Sequence, residues 1–180
     1  MQKELLMKDD KIITIRKISI DDIQAFFEFT KYLFNHLTDY TIDLPTEFSN
    51  DIELEKKQIS KFSSSGNLLL GAFYENKLIG VLDFISNKRN RINHWGNFGI
   101  SLHTDYQNFG IGTQMINMMI ECAKQNEQTN MICLSVHENN TRAIHLYKKL
   151  GFIEYGLLKN CIKNVDGRFT NSIEMFLEIE

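Results

Sequence analysis

Gln107-Asn108-Phe109-Gly110-Ile111-Gly112 is the stretch of this chain best suited to grip an anion. It stands between an apolar, strand-like run, Phe98 to Leu102, and a segment in which Ile111, Met115, Met118, Met119 and Cys122 fall three or four apart. The spacing predicts a strand that ends, turns through two glycines and enters a helix. The first turn of a helix has backbone N–H groups without intrahelical partners and a partial positive charge, so it can receive a phosphate or pyrophosphate. Gly110 and Gly112 omit the Cβ that would hold such an anion away. A tight turn without a ligand fits the same two glycines. There is no third glycine for G-x-G-x-x-G and no G-x-x-x-x-G-K-[ST], so dinucleotide and P-loop readings lack support.

A second stretch follows at Asn140-Thr141-Arg142-Ala143-Ile144-His145-Leu146-Tyr147-Lys148-Lys149-Leu150-Gly151-Phe152. In this order the two stretches resemble the GCN5-related N-acetyltransferase family. Its pyrophosphate loop reads (Gln/Arg)-x-x-Gly-x-(Gly/Ala), and its later helix reads Asn-x-x-Ala-x-x-x-Tyr-x-x-x-Gly-Phe. Both match here without a gap, and the resemblance covers roughly residues 68–178. Asp166-Gly167-Arg168-Phe169-Thr170-Asn171-Ser172-Ile173-Glu174-Met175 also resembles the branch that holds spermidine and ribosomal-protein acetyltransferases.

The resemblance implies an α/β fold: a mixed, mostly antiparallel sheet with helices on both faces and a splay between its fourth and fifth strands, here His94 to Leu102 and Met131 to Val136. It implies acetyl-CoA as cosubstrate and no metal. The pantetheine arm would lie in the splay as a pseudo-strand, and the main chain from Gln107 through Asn108, Phe109, Gly110, Ile111 and Gly112 to Thr113 would hold the pyrophosphate. The thioester would point back toward Ile100 and Leu102, where a backbone N–H could bond its oxygen as it becomes an oxyanion. Asn140 would contact the pantetheine arm; on the residues alone it is the N-cap of the next helix, and the two roles are compatible. Tyr147 is by spacing a core aromatic, but the resemblance makes it the acid that protonates the leaving thiolate.

The base is open. Related sequences often carry Glu where this chain has Asn97, and an amide cannot take a proton. A water relay, Asp83, His94, His103 and Glu138 remain. On the acceptor side, six acids (Asp39, Asp43, Glu47, Asp51, Glu53 and Glu55) stand in a stretch without Lys, Arg or His. They form either a solvated loop and helix face or an electrostatic funnel for a cationic amine such as a polyamine or a peptide N-terminus.

The elements that must position these residues are legible in outline. Ile12 to Ile18 suits a first strand, and Ser19 before Asp21 and Asp22 suits a helix start, with Ile23, Phe26, Phe27, Tyr32, Leu33 and Leu37 as its stripe. A second helix is expected over 48–62. Leu68 to Tyr74 and Leu78 to Phe84 form a hairpin about Glu75-Asn76-Lys77. The basic turn 87–91 reads as an exposed tip. Met131 to Val136 is a buried strand, Thr141 to Leu150 a helix closed by Gly151, and 152–163 and 169–179 a hairpin about Asp166-Gly167.

At 180 residues and 43% hydrophobic, one domain spanning residues 1–180 is expected. A net charge of -3 argues against nucleic acid as partner. Residues 1–11 lack the apolar centre of a signal peptide, no run has the length of a membrane span, and Cys122, Cys133 and Cys161 read as reduced core residues, which together suggest a cytoplasmic protein. The expectation is an N-acetyltransferase moving acetyl directly to a small-molecule or peptide amine, with a homodimer compatible with the family's habits. A non-catalytic acyl-CoA-binding module on the same fold is the alternative, favoured by Asn97. A nucleotide-binding regulatory domain has only the glycine turn behind it.

Overall fold

The computed structural model describes residues 2–7, 11–36, 41–42, 44–64 and 66–179. In chain order the elements are β1 (Gln2–Leu6), β2 (Ile12–Lys17), α1 (Ile23–His36), α2 (Ile52–Lys61), β3 (Leu68–Tyr74), β4 (Lys77–Ser86), β5 (Trp95–Leu102), α3 (Ile111–Lys124), β6 (Met131–His137), α4 (Thr141–Lys149), β7 (Ile153–Lys163) and β8 (Phe169–Glu178). The strands form one sheet in the order β1-β2-β3-β4-β5-β6-β8-β7. Every neighbouring pair is antiparallel except β5 and β6.

Two apolar layers explain the sequence of β3, whose Leu-Leu-Leu-Gly-Ala-Phe run has no polar face. Leu68, Leu70 and Ala72 join the core under α3 with Ile111, Met115, Ile116 and Met119. Leu69 and Phe73, on the other side of the pleat, meet Phe26 and Phe29 of α1 and Ile59 of α2. A strand covered on both faces reads as a continuous apolar run. Met115, Ile116 and Met119 are wholly buried. Each contributes about 1.5–3 kcal/mol from burial, and together they hold the mouth of α3 against the sheet.

β2 is fastened to the start of α1 by Arg16. Its guanidinium donates to both carboxylate oxygens of Asp22 at 2.8 and 2.7 Å and lies over the Phe73 ring at 3.9 Å. Asp22 also accepts from the Ser19 backbone N–H at 2.9 Å. These bonds hold the Asp22 carboxyl below its ordinary range, the Arg16 hydrogen bond contributing most.

Several expectations need correction. β1 was not expected: it is an edge strand with mostly exposed side chains, so burial imposes no alternation on Gln2-Lys3-Glu4. α2 begins at Ile52 rather than near Phe48, because Asp51 accepts from the Glu53 N–H at 3.0 Å and caps the helix there. The β3–β4 turn has two residues, Glu75 and Asn76, both with positive φ. Cys161 is exposed on β7, while Cys122 is half-buried and Cys133 buried. Leu37 of the α1 stripe and Asp39 and Asp43 of the acidic run lie outside the described residues.

Candidate active site

β5 ends at Leu102, passes through a short 3-10 turn at Thr104–Tyr106, and delivers the chain to α3 at Gly110. Gly110 is the N-cap residue at φ +80°, with nothing within 4 Å of where its Cβ would be. No side chain caps α3. The amides of its first turn therefore face an open concavity. The loop before it is held on both sides by Gln107, whose Nε2 donates to the Leu102 carbonyl at 3.2 Å and whose Oε1 accepts from Arg142 of α4.

The second wall comes from the sheet. β5 and β6 pair only at Trp95–Met131, Gly96–Ile132 and Asn97–Cys133. From Phe98 onward β5 has β4 on one side and no strand on the other. The splay opens into a cleft of about 370 Å³. Ile100, Leu102, Gln107, Asn108, Gly110, Ile111, Gly112, Thr113, Asn140 and Tyr147 all line it. Phe109 does not; the residue is 45% exposed. A larger groove of about 650 Å³ beside α1, lined by residues such as Arg16, Tyr32 and His103, contains none of these residues.

Tyr147 is 7% exposed, its ring set edge-on to Phe98 at 5.8 Å and Phe152 at 5.9 Å between centroids. Burial pushes its phenol up to about 12, so it stays protonated at any working pH. Asn140 accepts from the Ala143 N–H at 3.2 Å, which is the N-cap bond. That bond occupies Oδ1 and leaves Nδ2 for a ligand in the cleft.

The candidate bases are scattered. Asn97 and His94 are exposed at the start of β5, away from the α3 mouth. His103 is stacked on Tyr32 at 4.0 Å and lines the other groove; burial and then Lys77 depress its pKa. Glu138 accepts from Asn171 through both backbone and side chain, at 3.2 and 2.9 Å. Asp83 is half-buried on β4, beside β5. Of the acidic run, Glu47 caps the Leu44 N–H at 2.7 Å, Asp51 caps α2, and Glu53 pairs with Lys56 at 2.6 Å. These local bonds occupy much of the charge a funnel would need. Among the described residues no cluster of His, Cys, Asp or Glu could hold a metal ion.

Sequence reading passed over three nitrogen-bearing side chains that also line the cleft, Arg142, His145 and Lys149. They stand at i, i+3 and i+7 on α4, one polar face beside the apolar face of Leu146, Tyr147 and Leu150. That spacing was the available signal. Arg142→Ala should weaken acetyl-CoA binding about 5–10-fold, since it removes both a cation and the tie on Gln107. Calorimetric titration checks this, and thermal stability should hardly change.

The family model described as Acetyltransferase (GNAT) family matches residues 30–152. The chain belongs to the acetyltransferase (GNAT) family. The crystal structure of an acetyltransferase of this family from Streptococcus pneumoniae superposes with a TM-score of 0.87 at 26% identity, covering 93% of this chain and 99% of that one. A GNAT superfamily phosphinothricin acetyltransferase from Sinorhizobium meliloti, solved in complex with AcCoA, shares the fold with a TM-score of 0.81 at 17% identity, over 93% of this chain and 88% of its own. Among curated relatives, a probable spermine N(1)-acetyltransferase from Bacillus subtilis subsp. natto is 33% identical over 91 residues, 46% of this chain and 57% of the relative. The chain spans about half the length of the curated relatives it matches. The shared fold accounts for the order of elements and the mixed, mostly antiparallel sheet.

Proposed function

We propose that residues 1–180 form a single acyl-CoA N-acyltransferase domain that moves acetyl from acetyl-CoA directly to a primary amine. The observation that carries this is the convergence on one cleft of the uncapped α3 mouth, the unpaired edge of β5 and the Tyr147 phenol. The donor set fits a coenzyme bearing a pyrophosphate: first-turn amides, a left-handed glycine without a Cβ, and Arg142, His145 and Lys149 nearby. Gln107 orients the loop. In this reading a main-chain N–H on the edge of β5 that β6 leaves unpaired bonds the thioester oxygen as it gains charge.

Tyr147 gives up a proton reluctantly. With its phenol near 12 and a thiol near ~8.5, full transfer to a thiolate is uphill by roughly three to four orders of magnitude. Its role in this reading is to donate a hydrogen bond to the sulfur as negative charge grows there, with solvent completing the protonation. None of the three cysteines lines the cleft, which favours direct transfer over a covalent relay.

The acceptor class in this reading is a small cationic amine, an amino acid or a peptide N-terminus. A polyamine is the first acceptor to test in this reading, which the net charge of -3 and the spermine-named relative support. Cys133 and Cys161 as thiols suit a reducing compartment and hence, in this reading, the cytoplasm. No helix among the described residues is long and apolar enough to cross a membrane. Incubation with acetyl-CoA and a panel of amines, followed by thiol release, tests the proposal. Turnover with a primary amine is expected; binding of acetyl-CoA without release to any amine would support the non-catalytic module instead.

A further inference from the structure

We infer that Asp83 takes the proton from the acceptor amine, from the face of the sheet opposite α3. This rests on the acetyl-transfer reading above. The register fixes the placement: Asp83 pairs with Gly99, and Ile85 with Asn97, so Asp83, Asn97 and Gly99 share one face. Gly99 has no side chain, and a Cβ there would stand 3.0 Å from Asp83 Oδ1. The carboxylate thus leans over the β5 backbone. It does so two residues past Asn97, the last residue paired with β6, where the sheet begins to part. Ser101 lies on the same face and also lines the coenzyme cleft, at the edge of β5 that β6 leaves unpaired. The exposed Asn97 shows that this side is open to solvent.

Other carboxylates near the parting are occupied. Glu174 accepts from Ser135 at 2.6 Å and Ser172 at 3.0 Å, and Glu138 is bonded by Asn171. Among the described residues no side chain pairs with Asp83. Desolvation raises its carboxyl to about 6, opposed only by its own backbone N–H. At neutral pH it is mainly ionised and able to accept a proton. On this face β3 presents Leu69 and Gly71, β4 Val81 and Ile85, and β5 Asn97, Gly99 and Ser101, none titratable; β2 adds Arg16, which is bonded to Asp22, and β6 adds Cys133 opposite Asn97, whose thiol burial pushes up. On the half-buried sides of the covering helices, α1 carries Tyr32 and α2 carries Glu55 and Lys56, the last paired with Glu53.

In the step, the amine nitrogen bonds to the thioester carbon and the C–S bond breaks. The nitrogen's surplus proton passes to Asp83, and the CoA thiolate leaves and is protonated at the cleft. Asp83 then returns its proton to solvent.

The test uses the full chain, spermine and the other panel amines as acceptors, and kcat measured across pH. Unaltered protein should gain activity as pH rises through about 6 and then level off. Asp83→Asn should lose that limb and about 10²–10³-fold in kcat at pH 7, with acetyl-CoA affinity within twofold. Asp83→Glu should recover part of the rate, and Glu174→Gln should keep the limb. If Asp83→Asn fails to fold, Gly99→Ala carries the test, because its Cβ pushes the carboxylate aside and should lower kcat without weakening acetyl-CoA binding. A limb and kcat that survive Asp83→Asn, or a kcat that survives Gly99→Ala, overturn the role of Asp83 alone. No turnover by unaltered protein with any amine overturns the acetyl-transfer reading, and this inference with it.

Discussion

Gly110→Asp should weaken acetyl-CoA binding about 100-fold, equivalent to about 2.7 kcal/mol. The position has room for a side chain, since nothing lies within 4 Å of the added Cβ. An aspartate there brings a negative charge, and an acceptor for the amides of Gly112 and Thr113, to the place where the diphosphate would bind. The left-handed φ of +80° costs roughly 1 kcal/mol for any side chain. Gly110→Ala separates that strain from the charge. It should lower the melting temperature by a few degrees and leave affinity within about threefold. Calorimetry with acetyl-CoA on both variants reads the difference. Equal affinities for the Asp variant and the unaltered protein would remove the α3 mouth as the anion site.

Tyr147→Phe should lower kcat about 10- to 100-fold while acetyl-CoA affinity and stability stay near those of the unaltered protein. Phe keeps the edge-on contacts to Phe98 and Phe152, so the change isolates the hydroxyl. The phenol's pKa near 12 adds a second signature: the pH profile of the unaltered protein should show no falling limb from this group between pH 8 and 10. An ordinary phenol near ~10 would begin to ionise there. Full activity in Tyr147→Phe would exclude the hydroxyl from the chemistry and leave it as core.

The parts of the fold legible in the sequence are those where one force dominates. The α3 stripe, the buried β6 run and the Asp166-Gly167 turn follow from periodicity or from turn chemistry, and they lie where expected. Where two forces compete, the reading slipped. β1 has hydrogen bonds to β2 but little burial, so nothing in its side chains announces a strand. The start of α2 depends on which of several polar residues caps it, and Asp51 does so. In the cleft, the glycines, Asn140 and Tyr147 were visible because their spacing matches a motif. Arg142, His145 and Lys149 were hidden on the polar face of a helix whose apolar face drew attention. Asp83 could be named as a candidate base but not ranked, since its setting depends on which strand lies beside β4 and on Gly99 being the residue opposite.

The three-residue junction between β5 and β6 also has a mechanical meaning. Within the sheet it is the single seam joining the half built from β1 to β5 to the half built from β6, β8 and β7. A molecule seated along the open part of that seam would act as a rivet, tying the halves by contacts that the polypeptide itself leaves unmade. Resistance to heat should then climb with coenzyme concentration, as the logarithm of its ratio to Kd. Without that rivet, the first opening of the molecule under thermal stress should run along the seam.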